Sequence, residues 1–489
     1  MRRVAVEGAG MRWLLGLVGG VGVFAAGLAF VLLPPHQDVP PRGNLIISGV
    51  TIFNPGRERI ADQTIVIEGS RIAAVRPRQE GDPASLCEGC IAMPGLIDAH
   101  VHTPPRTIVG NQELFSLLYL AYGVTSVRDV GEADSSVASL ARDLNAARIV
   151  GPRMFRCGPV IESEPSSWPA ALVVETAEDA TAAVDRLADE GVDCIKVYNE
   201  LNADAYRAIA IATARHGLRL IGHVPHSVGL RGVHDFESQH MTGFPYIAHA
   251  RPPLNSDIRD VDVLTMTPED VNVALETAAE NRVTFTPTLA NLSLRLSASD
   301  PVQFPPPQGG SNLPAFWSTV WQNLVGHPTG EADISARLES QTRYHAMVAA
   351  ARARGIDVLA GTDTLMPWVT PGESLHLEIE QLAAAFGDNE AALAAATTVN
   401  ATHIAPGEIG GIEPGARADI LLLTSDPVLD VSSLRRWSYV IADGRLYARG
   451  DIDAAVERYR EHFRGPLYSA IMGTLVQVML GDSGHANAH

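Results

Sequence analysis

Positive charge is scarce in this sequence. Lys and Arg number 37 against 56 Asp and Glu in 489 residues, a formal net charge of −19 at pH 7. No basic field is present to displace counterions from a phosphate backbone, which argues against a nucleic-acid partner. Cysteine is scarcer still. Cys87, Cys90, Cys157 and Cys194 are the only four, too few for a disulfide scaffold. Cys87 and Cys90 form a lone C-x-x-C, "CEGC", without the second pair that a structural zinc site needs. A local disulfide and two unpaired thiols are both open for them. Charge of either sign is absent from Leu14 to Pro35, "LLGLVGGVGVFAAGLAFVLLPP", about the ~20 residues that span a bilayer.

Arg2, Arg3 and Arg12 precede that run, so the N-terminus is expected in the cytoplasm and the rest of the chain exported. The run exceeds the ~7–15 residues of a signal-peptide core, and its A-x-A-like cleavage cue is weak. An uncleaved signal anchor is expected, with a cleaved signal peptide as the alternative. A buried soluble helix fits poorly because no polar face interrupts the run. The chain is therefore expected at the periplasmic, extracytoplasmic face of a membrane, anchored there, or secreted if the segment is cut.

The remainder reads as globular: apolar residues make up 46%, and mean hydropathy is close to zero. Residues 1–13 form the basic segment, 14–35 the anchor and 36–43 a Pro-rich linker. "NLIISGVTIF" and "QTIVIEGSRIAAVRP" then alternate β-branched and polar residues between turn signals, which predicts a small antiparallel unit over 44–95. From Leu96, strand-like bursts alternate with Ala-rich helical stretches, as in "GVTSVRDVG", "CIKVYN", "LRLIGHV", "VTFTPTL" and "DVLAGTD". That rhythm predicts an α/β fold of parallel βαβ units, a (β/α)8 TIM-like barrel over 96–405. β character returns over 406–450, which predicts one discontinuous β-sandwich built from both ends of the chain. Residues 451–489 read as a charged helix and an apolar tail, too short to span a membrane, which packs on the body or lies at a membrane surface. A Pro/Gly insertion from Ala298 to Trp317 interrupts the barrel pattern.

Reactive groups of a parallel barrel gather at the C-terminal ends of its strands. The polar residues that end apolar bursts are His100 and His102, Lys196, His223, His240 and Asp363. Singly, each has an ordinary reading: a strand-end His as a hydrogen-bonded core residue, the Asp of "GTD" as a helix cap. A Lys inside an apolar strand is harder to explain, because desolvating an ammonium is costly. Together they supply nitrogen and oxygen ligands suited to zinc or a similar divalent ion. Two histidines at i and i+2 on a strand share one face.

The segments "MPGLIDAHVHT", "GVTSVRDVG", "GVDCIKVYN", "IGHVPHSVGL", "QHMTG", "LAGTDT", "PGESLHLEIEQL", "AATTVNAT" and "GGIEPGARADILLL" cover nearly everything between Asn44 and Gly450. In order and spacing they resemble the amidohydrolase superfamily, in its imidazolonepropionase-related and prolidase-like branch. The resemblance implies that His100 and His102 hold the more buried of two divalent ions, zinc, together with Asp363. It implies that His223 and His240 hold the second, and that Lys196 bridges both as a carbamate formed with carbon dioxide. The interval between His223 and His240 is a few residues shorter than the family pattern, and Gln239 stands where an acid is common. His234 and His226 are the local alternatives for the sixth ligand.

The implied function is hydrolysis of an amide bond by metal-activated hydroxide, with Asp363 as proton acceptor and then donor. The expected substrates are small peptides, Xaa-Pro or other dipeptides, or N-acyl amino acids. Tyr198 and His226 are candidate substrate contacts, with packing at the barrel mouth as the alternative. A cyclic amide or imidazolone hydrolase is the second enzymatic reading, and a barrel scaffold that has lost its metals is the reading from another class. Homo-oligomerisation is also open.

Overall fold

The computed structural model describes residue 27 and residues 31–168, 170–244, 263–325 and 331–483. Most of Leu14–Pro35 lies outside them, as does the basic segment 1–13, so the expected anchor falls largely outside the described residues. Among the described residues, no helix is long and apolar enough to cross a membrane.

Strands from both ends of the chain share one sheet. β1 (Asn44–Ile52), β2 (Ile60–Glu68), β3 (Arg71–Pro77) and β4 (Ile91–Pro94) are joined by β14 (Ile420–Leu423), β15 (Trp437–Ala442) and β16 (Arg445–Ala448). Their order is β16-β15-β14-β4-β1-β2-β3. β4 couples the two ends, parallel to β1 and antiparallel to β14. The expected two-sheet sandwich is corrected here to one sheet. Bulges in β1 around Ser48, Val50 and Ile52 bend its long strands. Ile72 N then reaches Ala416 O at 2.9 Å, beside β14. The sheet thus curls over its own core of Ile47, Ile65, Ile67, Ala92, Ile420 and Leu422.

The α/β body follows. Its strands are β5 (Leu96–Val101), β6 (Val124–Asp129), β7 (Arg153–Arg156), β8 (Ile161–Glu162), β9 (Leu172–Val173), β10 (Cys194–Val197), β11 (Arg219–Gly222), β12 (Phe236–Gln239) and β13 (Thr284–Thr286). The helices are α1 (Asn111–Ala121), α2 (Ser136–Asn145), α3 (Ala177–Asp189), α4 (Ala203–Arg215), α5 (Pro268–Glu280), α6 (Leu289–Ser299) and α7 (Phe316–Val325). They continue with α8 (Glu331–Ala353), α9 (Glu373–Phe386), α10 (Asn389–Ala394), α11 (Asn400–Ile404), α12 (Arg449–Phe463) and α13 (Pro466–Ser483). Local chemistry sets several starts: Thr176 with Asp179 and Thr267 with Asp270 form capping boxes at α3 and α5.

The body is barrel-like, with all its strand pairs parallel, but no closed barrel forms among the described residues. β5-β6-β7 is one parallel sheet and β13-β12-β11-β10-β8-β9 another. Single bridges, Phe285 to Val358 and Val101 to Thr364, carry the chain between them on one side. On the other side β7 and β10 share no ladder. Gly158, at φ 75°, and Pro159, which has no N–H, end β7. β10 pairs instead with Ile161 beyond that break. A disulfide between Cys157 and Cys194 spans the gap, beside a hydrogen bond from Asp193 N to Arg156 O at 2.7 Å. Cys87 and Cys90 are also disulfide-bonded. The Pro/Gly insertion packs on the body: Gly309 N donates to Glu373 Oε2 at 2.7 Å, and Phe316 and Trp317 are buried.

Candidate metal centre

Strand ends carry the reactive groups. His100 lies in β5 and His102 just after it, Lys196 in β10, and His223, His240 and Asp363 directly follow β11, β12 and the 358–362 segment. Two glycines allow the close approaches this requires. A Cβ on Gly361 would lie 2.8 Å from His100 Cβ, and one on Gly222, at φ 140°, would lie 2.1 Å from Val197 O. His240, Thr288 and Asp363 adopt φ of 57°, 53° and 65°. Such left-handed backbone in residues other than glycine clusters at functional sites.

Asp363 is the hub. Its Oδ1 lies 3.2 Å from His100 Nε2 and 3.3 Å from His102 Nε2, and its Oδ2 lies 3.8 Å from His240 Nε2. The ligand atoms of His100, His240 and Asp363 all fall within 4.8 Å of one another. The closest group therefore mixes the two ligand sets implied by the sequence. The ring of His223 stands 5.1 Å from that of His240 and stacks on Tyr198 at 4.0 Å. Lys196, His223, His240 and Asp363 line one open pocket of about 990 Å³. His226 also lines it, its Nδ1 3.1 Å from Glu200 Oε1. His234 is exposed and stands outside the lining.

The outer partners of the histidines share one pattern. His100 Nδ1 meets Gln239 Oε1 in a short contact, His102 Nδ1 meets Gly131 O at 3.3 Å, His223 Nδ1 meets Asn199 Oδ1 at 2.9 Å, and His240 Nδ1 meets Thr288 Oγ1 at 2.6 Å. With the outer nitrogen engaged in each ring, Nε2 is the atom left for the centre, which is how histidine metal ligands are oriented. His100 Nε2 is buried beside Asp363 Oδ1 at 3.2 Å without a well-formed hydrogen bond, and a cation between them would satisfy both. Behind Gln239, its Nε2 donates to Glu237 Oε1 at 2.7 Å. Glu237 is held by a bidentate pair with Arg128. Burial alone would raise Glu237, but the Arg128 guanidinium outweighs it and holds the carboxyl at about 2.

Burial sets the other protonation states. It lowers Lys196 to about 8, against the pull of Asp363, and lowers His100 to about 4. His240 is pushed well below its ordinary value by the same cause. For Asp363, burial opposes ionisation, yet His240 and His100 hold the carboxyl well below the usual carboxylate range. Neutral His100 and His240, an ionised Asp363 and a lysine amine that gives up its proton more readily than usual fit a divalent-metal donor set.

Some pocket residues escaped the sequence reading. Asn291 donates from Nδ2 to Asp363 Oδ2 at 2.7 Å. The Trp168 ring lies 5.2 Å from that of His102 and 5.7 Å from Tyr198. Its loop carries no periodic signal. Glu162 holds that loop through Ser166, Ser167 and Trp168. One sequence signal bears directly on the centre: Lys196 is the only lysine in the chain.

The sequence model described as "Amidohydrolase family" matches residues 91–447, most of the chain. The chain belongs to the amidohydrolase family. Membership makes it a hydrolase scaffold for carbon–nitrogen bonds. Among solved structures, a bottromycin amidohydrolase is 22% identical with a TM-score of 0.70, covering 89% of this chain and 96% of that one. A putative prolidase from Bifidobacterium longum is 24% identical, TM-score 0.63, covering 86% and 100%. A Xaa-Pro dipeptidase with bound methionine in its active site is 18% identical, TM-score 0.61, covering 83% and 100%. At these identities the likeness is one of fold. No curated protein matches this amidohydrolase.

Proposed function

We propose that this amidohydrolase cleaves the amide bond of a small peptide, Xaa-Pro or another dipeptide, or of an N-acyl amino acid. Two divalent ions, zinc in this reading, would be held by His100, His102, Lys196, His223, His240 and Asp363. The observation that carries the reading is that His100, His102 and His240, each anchored at Nδ1, hold Nε2 within 3.8 Å of Asp363. When bound, the ions would supply an acidified water and a polarised carbonyl.

The chain's own residues account for the rest. Lys196, lowered to about 8, keeps an appreciable neutral fraction at neutral pH. Its Nζ can therefore form an N–C bond to carbon dioxide with release of one proton, giving an anionic oxygen ligand. Asp363 accepts the proton of the attacking water at Oδ2, the oxygen beside Asn291, and returns it to the leaving nitrogen. Tyr198 and His226, both on the pocket wall, serve as substrate contacts. The putative prolidase and the Xaa-Pro dipeptidase among solved structures with this fold support the peptide reading.

The chain is read as exported and held at the extracytoplasmic face by Leu14–Pro35. Pairing of all four cysteines supports an oxidising compartment. Metal analysis of the purified protein, combined with a screen of dipeptides and N-acyl amino acids, tests the catalytic reading. About two ions per chain and turnover of one class are expected. A fully zinc-loaded sample inert on every amide would overturn it.

A further inference from the structure

Charge vanishes from the surface of one helix. α12 is ordinary: Asp451, Asp453 and Arg458 face solvent while Ile452, Tyr459 and Phe463 are buried. The next helix, α13, buries Tyr468, Met472 and Val476 and packs on α7. Its opposite side exposes Leu467 (62%), Ile471 (36%), Leu475 (39%) and Val478 (58%). Their spacing of four, four and three residues makes one helical face. No charged residue occurs between Arg464 and Asp482. A soluble surface seldom leaves such a continuous apolar stripe uncovered.

The N-terminal run reaches the body beside this stripe. Tyr459 donates its hydroxyl to Pro35 O at 2.9 Å. A Cβ on Gly110 would touch both Pro34 and Phe463, and the Phe463 ring lies 4.6 Å from that of Tyr468 in α13. Leu33, in the same run, is 59% exposed. The uncharged stretch that ends here has the length of a bilayer span.

This is also the catalytic side of the fold. Tyr468 donates to Val109 O at 2.8 Å and accepts from Asn111 Nδ2 at 2.9 Å. α13 therefore lies on the segment that leaves β5 just after His102. From α7, Trp321 Nε1 donates to Leu365 O at 3.2 Å, two residues beyond Asp363.

We infer that the exposed face of α13 docks on a lipid bilayer beside the entry of the Leu14–Pro35 run, on the side of the fold where the metal centre opens. α13 lies along the interface and does not span it, because its other face, with Tyr468, Met472 and Val476, is buried against the body. The charge of −19 gives no attraction to anionic headgroups, so the contact is apolar and insensitive to salt. The inference goes beyond the hydrolase reading and does not depend on it.

A nitroxide on Leu475→Cys tests this in the full chain, reconstituted in phosphatidylcholine vesicles. All four native cysteines are paired, so the label is specific. A second label on Arg458→Cys marks the aqueous face of α12. The expected result is a ratio of oxygen to nickel-chelate collisions several-fold higher at 475 than at 458, unchanged by added salt. Equal ratios overturn the inference. So does a label shielded from both reagents, which would mean that the chain's own N-terminal run covers the face. Spin–spin broadening relieved by unlabelled protein overturns it in favour of a second copy. Val478→Cys repeats the measurement should Leu475→Cys fail to fold.

Discussion

Asn291 donates from Nδ2 to Oδ2 of Asp363 at 2.7 Å, and both side chains are buried. Arg295 Nε in turn approaches Asn291 Oδ1 at 3.4 Å. The aspartate thus faces His100 and His102 through Oδ1, and a fixed amide and His240 through Oδ2. In the proposed mechanism Asn291 positions the group that would move the proton. Asn291→Leu should lower kcat by roughly 10- to 100-fold through misplacement of Asp363, with KM and metal content little changed. Steady-state kinetics beside metal analysis separate this from a structural role, in which all three would fall together.

Lys196→Ala should cost more metal affinity than the ~10- to 100-fold typical of residues behind the ligands. Because no other lysine exists, the carbamate can be read directly. Protein equilibrated with carbon-13 bicarbonate should show a side-chain carbamate resonance that Lys196→Ala loses, distinct from any carbamate on the α-amino terminus. A silent wild-type spectrum, with metal bound, would remove the bridging role.

Glu378 lies buried on α9, and burial raises its carboxyl to about 8, although Oε2 accepts from Ala290 N at 2.7 Å. The unfolded chain releases this proton near the ordinary value of 4.5. Between those two values the folded state binds more protons, so stability falls as pH rises, by at most about 1.4 kcal/mol per pH unit. The loss is complete above the folded value. Glu378→Gln should flatten that slope and leave stability at acidic pH nearly unchanged, as read from urea midpoints across the range.

Arg128 and Glu237 form a bidentate pair with both side chains buried. Arg128→Met strands an ionised carboxylate in the interior and should destabilise the fold by about 3–5 kcal/mol. Because Glu237 positions Gln239 and Gln239 contacts His100, zinc affinity should fall as well. Replacing Arg128 and Glu237 together by apolar residues should recover most of the stability but not the affinity. Denaturation curves and zinc titrations check the two halves.

Much of the candidate site was legible because its charged and imidazole side chains stand where apolar ones belong. His100, His102, His223, His240 and Asp363 each end an apolar burst and Lys196 sits inside one, and the fold brings all six to one end of the body. The parallel α/β rhythm was legible for the same reason, since buried strands read as short apolar runs. Asn291, Trp168 and Thr288 were not, because a residue on a loop or first helical turn carries no periodicity. Neither was the break between β7 and β10. "CGP" reads as an ordinary turn, and only the placement of β8 shows that it opens the ring there.

The sequence alone determined which polar side chains interrupt the apolar strands, the parallel βαβ order and the β structure on either side of the α/β body. Each depends on residue type and local spacing, which are written along the chain. The tertiary structure alone decided which oxygen of Asp363 faces which histidine, and that Gln239 braces His100 through Glu237 and Arg128. It also decided that Cys157 pairs with Cys194, and that the uncharged face of α13 lies beside the N-terminal run. Those facts join residues far apart in the chain, and only the packing of the folded core brings them within a hydrogen bond or a van der Waals contact.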